Sequence, residues 1–329
     1  MNFLIIGLGS MGKRRIRCLQ ALGPHNIAGS DIRADRCREA NGLYGIVAEQ
    51  NVTDKMLEEA DAVIISTPPH AHAECVARVI SRSKPIFIEA SVILDDVKQI
   101  QEHAQQAGVF VAPSCTLRFH PVIQEITQII SSGKYGAVSN FSYHSGQYLP
   151  DWHPWENIRD YYVSHKITGA AREIVPFELT WITDTFGFPD AIRGFFGKTV
   201  DLGVDIDDTY SCQMRFGSCI GAMTVDVTSR FATRTLIVNL ESAQIRWNWE
   251  EAGFKVYEAE TQRWIIYNQP QFEAASQYNK NIGEKMYKDE IAAFIQGIRQ
   301  PSRYPNRLAD DMRVLRLLEQ IETDGKHAS

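Results

Sequence analysis

The chain has 329 residues, 44% of them apolar and 22% charged. This composition excludes a mostly disordered polymer, and the length exceeds what one hydrophobic core usually organises. Lys+Arg 34 against Asp+Glu 40 gives a formal charge of −6, which argues against a polyanion such as nucleic acid as main partner. The one dense basic run, Lys13-Arg14-Arg15-Ile16-Arg17, is too short to change that and reads as the exposed face of a helix. No stretch approaches the ~18 uninterrupted apolar residues of a membrane helix. Met1–Ile6 lacks a basic leader and is not read as a signal peptide. The cysteines lack C-x-x-C spacing, so reduced thiols in a cytoplasmic protein are expected.

In chain order, short apolar runs at 2–6, 26–30, 62–66, 85–88 and 109–112 alternate with helical spacing at 12–22, 34–41, 71–81 and 95–107. Wholly apolar strands joined by helices predict a doubly wound parallel sheet. After Arg118 the texture changes. A helix at 122–130 precedes strand-like stretches at 137–148, 191–200, 208–216, 219–228, 235–240, 245–249 and 264–267, with closing helices at 288–298 and 307–321. The second half is therefore read as α+β with a large, mainly antiparallel open sheet. The domains expected are 1–118, binding dinucleotide, and 119–329, binding substrate and a second subunit. Met214, Phe216, Met223 and Val225 alternate on two of the strands and are expected to supply an apolar face for a homodimer or homotetramer.

Gly7-Leu8-Gly9-Ser10-Met11-Gly12 follows the first strand and opens a helix. There the glycines permit a tight turn, backbone approach to a pyrophosphate, and close helix–strand packing. Asp31 ends the second strand, where an acid binds the ribose hydroxyls of NAD. Arg33 and Arg36 read first as a solvated loop, though they could clamp a 2′-phosphate, so NADP stays open.

Several separated segments now resemble one family, the glucose–fructose oxidoreductase and inositol dehydrogenase family, Gfo/Idh/MocA. They are Gly7–Gly12, Thr67-Pro68-Pro69-His70-Ala71-His72, Glu89, Arg118-Phe119-His120-Pro121, Gly169, Asp207-Asp208 and Tyr287…Glu290…Phe294. The resemblance implies an NAD(P)-dependent oxidoreductase acting on a sugar, polyol or nucleotide-sugar. It implies that Thr67, Pro68 and His72 border the cofactor and that Glu89 lies near the nicotinamide ribose. Two departures stand out. The family's Glu-Lys-Pro reads Glu89-Ala90-Ser91 here, and Phe177 falls where the family carries its acid/base histidine.

Proton transfer must then come from elsewhere. Glu173, Phe177 and Thr180 share one helix face, which makes Glu173 the first candidate. An ion pair with Arg172 or Lys166 is its structural alternative. Glu178 is second choice, re-aimed if Pro176 kinks the helix. Lys166 could replace the missing lysine, and Thr168 is expected to cap the helix. Tyr148-Leu149-Pro150-Asp151-Trp152-His153-Pro154-Trp155-Glu156 combines aromatics with directed polar groups, as a sugar pocket does. Arg118, His144, Trp152 and His153 are the candidate substrate contacts. No metal constellation is found. Two alternatives follow from the departures: a non-catalytic dinucleotide/sugar sensor, or a redox-neutral NAD-using epimerase or lyase.

Overall fold

The structure, a computed structural model, describes residues 1–154, 156–269 and 283–326. Its first elements are β1 (Asn2–Ile6), α1 (Ser10–Leu22), β2 (Asn26–Ser30), α2 (Ala34–Tyr44), β3 (Val47–Glu49), α3 (Asp54–Glu59), β4 (Ala62–Ile65), α4 (His72–Ile80), β5 (Ile86–Ile88), α5 (Leu94–Ala107) and β6 (Val111–Pro113). There follow α6 (Pro121–Ser131), β7 (Val138–Tyr148), α7 (Ala170–Phe186), β8 (Ala191–Gly197), β9 (Thr209–Phe216), β10 (Cys219–Asp226) and β11 (Thr228–Leu240). The chain continues with β12 (Ala243–Asn248), β13 (Gly253–Glu258), β14 (Arg263–Asn268), α8 (Glu284–Arg299) and α9 (Leu308–Lys326). Sequence reading omits β3, α3 and β13. β3 has three residues and α3 six, too few to display a period.

Two compact units result: Met1–Thr116 with Glu284–Arg313, and Leu117–Gly283 with Val314–Ser329 as far as these are described. The stretch containing α8 thus belongs to the first unit, whereas an uninterrupted 119–329 domain places it in the second. The cause is the buried charge of α1, which α8 neutralises. Arg14 is 3% exposed and Arg15 0%, so this basic run is not the solvent face expected of it.

The first unit holds a parallel sheet in the order β3-β2-β1-β4-β5-β6. All of β4 and β5, and β1 after Asn2, are buried, as a sheet covered on both faces requires. Strand order reverses between β1 and β4, which places the ligand crevice at the carboxyl ends of those strands.

The second unit holds the order β14-β13-β12-β11-β7-β10-β9-β8, antiparallel except for β10 beside β7. Helix α7 covers one face, with Phe186 stacked on Phe141 at 4.1 Å and Trp181 edge-on to Tyr143 at 5.0 Å. Met214, Met223 and Val225 are at most 1% exposed, and Phe216 joins the Phe141–Phe186 stack. These four residues therefore lie on the covered face rather than on an open one. Alternation separates the faces of a strand but does not say which face a helix takes. The opposite face carries a row running Phe195, Ser211, Thr224, His144 and Thr235 across five strands. Among the described residues no helix is long and apolar enough to cross a membrane.

Candidate active site

In the first unit, the turn after β1 brings the chain back against the end of β4. Gly7 has φ +93°, and a Cβ there would lie 2.5 Å from the Ser66 carbonyl oxygen. A Cβ on Gly12 would lie 1.9 Å from the Gly7 carbonyl oxygen, so α1 can sit this close only with glycine. Gly9 differs. Its nearest neighbour to an added Cβ is the tip of Arg36, at 3.4 Å. Gly9 also caps α1 with no side-chain hydrogen bond, and the first turn carries no acid. Its amides and dipole are thus arranged for an anion, in a cradle that a side chain at Gly9 would enter. Ser10 and Met11 form the first positions of the helix.

Asp31 is fixed beside this turn. Leu8 N–H donates to Oδ2 at 2.7 Å and Arg33 N–H to Oδ1 at 2.9 Å, leaving further lone pairs for ribose hydroxyls. The Arg33 guanidinium is engaged by Asp35 at 2.6 Å and holds that carboxyl down at about 2. Arg36 stands 3.7 Å from Asp31. The residues present fit a dinucleotide, with Asp31 on the adenosine side of the turn and the β4–β5 ends on the nicotinamide side.

At those ends Glu89 accepts from Arg15 Nε at 2.6 Å and Nη2 at 2.8 Å, and from Ser66 Oγ at 3.2 Å. His72 lies behind Thr67 and Pro68, fully buried. Its Nε2 is 3.0 Å from the Thr67 carbonyl, which can only accept, so Nε2 carries the proton. Nδ1 then accepts from Ser91 Oγ at 2.9 Å. Burial lowers this imidazole to about 4 and keeps it neutral. His72 therefore braces the β4 loop from inside. Ser91, which sequence reading missed, completes the brace.

In the second unit Glu173 occupies the first turn of α7, and its Oε1 accepts from Tyr162 Oη at 3.0 Å. The Tyr161 ring lies 6.0 Å from Tyr162 and 5.1 Å from His153, and His153 Nδ1 is 3.6 Å from Glu156. Burial, with Glu156 and Glu173 nearby, pushes the Tyr161 phenol well above its usual range. Tyr162 and Tyr161 were not singled out by sequence. They join Glu173 through a loop without periodic pattern. Of the two cations expected beside Glu173, Arg172 engages Glu322 at 2.6 Å, and Lys166, with a side chain 62% exposed, lies 3.7 Å from Asp207.

Other candidates are placed elsewhere. Glu178 is fully buried and accepts from Tyr143 Oη at 2.7 Å, Ser145 Oγ at 2.9 Å, Trp181 Nε1 at 2.9 Å and the Arg234 guanidinium. Both oxygens are committed, so Glu178 anchors α7 to the sheet and has no lone pair spare for acid/base work. Helix α7 continues through Pro176 without re-aiming it. The cap of α7 is Gly169 rather than Thr168, whose hydroxyl donates instead to the Tyr162 carbonyl at 2.7 Å. Arg118 is pinned on α7 by the Thr180 carbonyl at 3.2 Å and Asp184 at 3.4 Å. His144 bonds Asp226 at 2.7 Å on the sheet face opposite α7. Trp152 is half-buried, with an indole N–H that has no acceptor among the described residues. Trp155 lies outside the described residues. No metal-binding group is found among the described residues.

Comparison with known proteins agrees with this geometry. Residues 1–114 match the oxidoreductase family with an NAD-binding Rossmann fold, and residues 123–246 match the GFO/IDH/MocA C-terminal domain. Inositol 2-dehydrogenase of Klebsiella pneumoniae is 32% identical over 111 residues, covering 32% of this chain and 33% of its own. The D-xylose 1-dehydrogenase (NADP(+)) 2 of Haloferax volcanii is 24% identical over 62% of this chain and 63% of its own. The chain thus matches between a third and two thirds of the length of these relatives. An oxidoreductase of Agrobacterium radiobacter, solved with NAD+, L-tartaric acid and magnesium, superposes with TM-score 0.86 at 13% identity, covering 100% of this chain and 97% of that one. With both domain matches in chain order on the folds that carry them, the protein belongs to the GFO/IDH/MocA oxidoreductase family.

Proposed function

We propose that the protein is an NAD(P)-dependent oxidoreductase that interconverts a carbinol and a carbonyl on a sugar or polyol. The observation that carries this is the uncapped Gly9 turn with Asp31 fixed beside it. When bound, the nicotinamide supplies the hydride acceptor or donor. Asp31 favours an unphosphorylated ribose, because a carboxylate repels a 2′-phosphate, so NAD is the expected cofactor. The names of the inositol and xylose dehydrogenases support a polyhydroxylated substrate.

Glu173 takes the hydroxyl proton at a carboxylate oxygen as the carbonyl forms and returns it in the reverse direction. The Tyr162 hydroxyl, donating to Oε1, orients that carboxylate. Trp152 offers a stacking face and an N–H for sugar hydroxyls. A second reading, binding without turnover or redox-neutral cycling, is favoured by Ala90 and Phe177, which neither donate nor accept a proton. Fluorescence titration with NADH and absorbance at 340 nm with a polyol and aldose panel separate the readings. Binding with sustained NADH formation supports the dehydrogenase, and a protein that binds neither NADH nor NADPH refutes it. We also expect self-association through the sheet face opposite α7, which exposes Phe195, Ile220 and Ile266. Light scattering showing a monomer refutes that.

A further inference from the structure

Arg15 is the largest charged side chain sealed inside the first unit, and the reading of this unit as a dinucleotide site does not use it. Its Nε and Nη2 grip Glu89 as a fork, while Nη1 meets Glu290 at 2.9 Å and the Tyr287 carbonyl at 3.4 Å. The guanidinium lies over the Phe87 ring at 4.5 Å. Glu290, also fully buried, accepts from Cys115 N–H at 2.6 Å, Ser114 Oγ at 3.0 Å and Thr116 Oγ1 at 2.8 Å. Arg15 and the Cys115 N–H can only donate, so each carboxylate meets a fixed donor, while burial and the nearby Glu89 push the Glu290 carboxyl above its ordinary range and Arg15 pulls it down. With both carboxylates ionised, one guanidinium between them leaves one negative charge uncompensated.

A clip that only joined α8 to the sheet would need one carboxylate, and the second one adds desolvation cost. The surplus charge is not evenly buried. Glu290 has no exposed side-chain surface, whereas Glu89 keeps 12% at the end of β5. That end belongs to the β4–β5 side of the crevice, opposite Asp31 across the Gly7–Gly12 turn. On a dinucleotide laid across the turn, this is the nicotinamide half.

We propose that the Arg15–Glu89–Glu290 cluster biases the unit toward the oxidised cofactor: its surplus negative charge, presented by Glu89, favours the positively charged nicotinamide ring over the neutral reduced ring. Arg15 is the positioning residue, holding Glu89 aimed through its fork, and Glu290 balances Arg15 from behind. This rests on the dinucleotide reading given above. The bias acts on binding alone. Taking up a hydride (one proton and two electrons) removes the ring's positive charge, so the oxidised form alone gains from a nearby anion.

The test is the ratio of the dissociation constants for NAD+ and NADH, measured by calorimetry and fluorescence on the full chain. Glu89→Gln should raise Kd for NAD+ relative to that for NADH about 3- to 10-fold, the size expected for one partly screened charge at contact range. Arg15→Lys keeps the net charge but loses the fork. It should shift the ratio in the same direction as Glu89→Gln but by a smaller factor, because Glu89 keeps its charge and loses its aim. Glu284→Gln removes a carboxylate from the same unit, where it pairs with Arg14 and Arg17, and should leave the ratio unchanged. If Glu89→Gln does not fold, Glu290→Gln carries the test, with a smaller shift in the same direction. An unchanged ratio in the folded Glu89 or Glu290 variant overturns the proposal and leaves the cluster a structural clip. Failure of the wild-type chain to bind either form overturns the dinucleotide reading instead.

Discussion

Replacing Gly9 with Ala isolates the one glycine of the turn that the fold itself does not need. Gly9 has φ −68° and ψ −162°, an extended conformation open to any residue. The added methyl would meet only the mobile end of Arg36, at 3.4 Å. Loss of unfolded-state entropy favours Ala by about 0.4–1 kcal/mol, and Ala's poorer N-capping offsets part of that. Stability should therefore move by less than about 1 kcal/mol. Dinucleotide binding should suffer far more, since the methyl occupies the cradle and holds a phosphate off one amide. At about 1.5–3 kcal/mol for a hydrogen bond to a charged group, affinity should fall about 10- to 100-fold. Thermal melts and NADH fluorescence titration on one preparation give both numbers. Unchanged affinity in a folded Gly9→Ala protein refutes the assignment of the turn as the phosphate site.

Gly12→Ala should behave in the opposite manner, because its Cβ would be 1.9 Å from a backbone oxygen; lost folding, seen as a collapsed melting transition, is expected. Arg234→Met strands the fully buried Glu178, so stability should drop by about 3–5 kcal/mol in denaturant titration. Glu173→Gln should lower kcat by ~10²–10⁴ without altering NADH affinity, and full activity in that variant ends the acid/base assignment. His72 is held at about 4, against an ordinary 6.5, by burial. As pH falls the unfolded chain binds this proton first, so the contribution is full above pH 6.5 and is lost as pH falls to 4. It amounts to about 3 kcal/mol. Unfolding midpoints of wild type and His72→Gln at pH 7 and pH 4.5 should converge, and parallel pH slopes would refute the neutral brace.

What the sequence displays and what it hides divide along the range of the interaction. Strands β1, β4 and β5 are visible because burial on both faces writes an uninterrupted apolar run. Gly7, Gly12 and Asp31 are visible because the turn that needs them is local. Glu178 looks like a spare carboxylate beside Glu173, yet Tyr143, Ser145 and Arg234 reach it from two strands distant in the chain. The apolar alternation of β9 and β10 is legible, but the choice of covered face depends on where α7 docks. Thr168 has the chemistry of a cap, and the loop geometry directs its hydroxyl to Tyr162 instead. Tyr162 itself stands in an aperiodic loop, so nothing in its neighbours signals its bond to Glu173.

Arg15 shows how a local pattern can point the wrong way for a physical reason. Four cations in five residues suggest a solvated helix face, since burying a cation without a partner is prohibitive. The partners exist, but they are Glu89 at the end of β5 and Glu290 on α8, beyond any helical spacing. Removing the guanidinium from water therefore requires both α8 and the strand end to be in place, which couples the assembly of the first unit to the placement of one carboxylate at its ligand edge. The same ion pairs tie α8, late in the chain, to the first unit and give Glu89 a fixed orientation. Ala90 follows Glu89 and brings no cation, so Arg15 is the guanidinium that meets both carboxylates of the cluster.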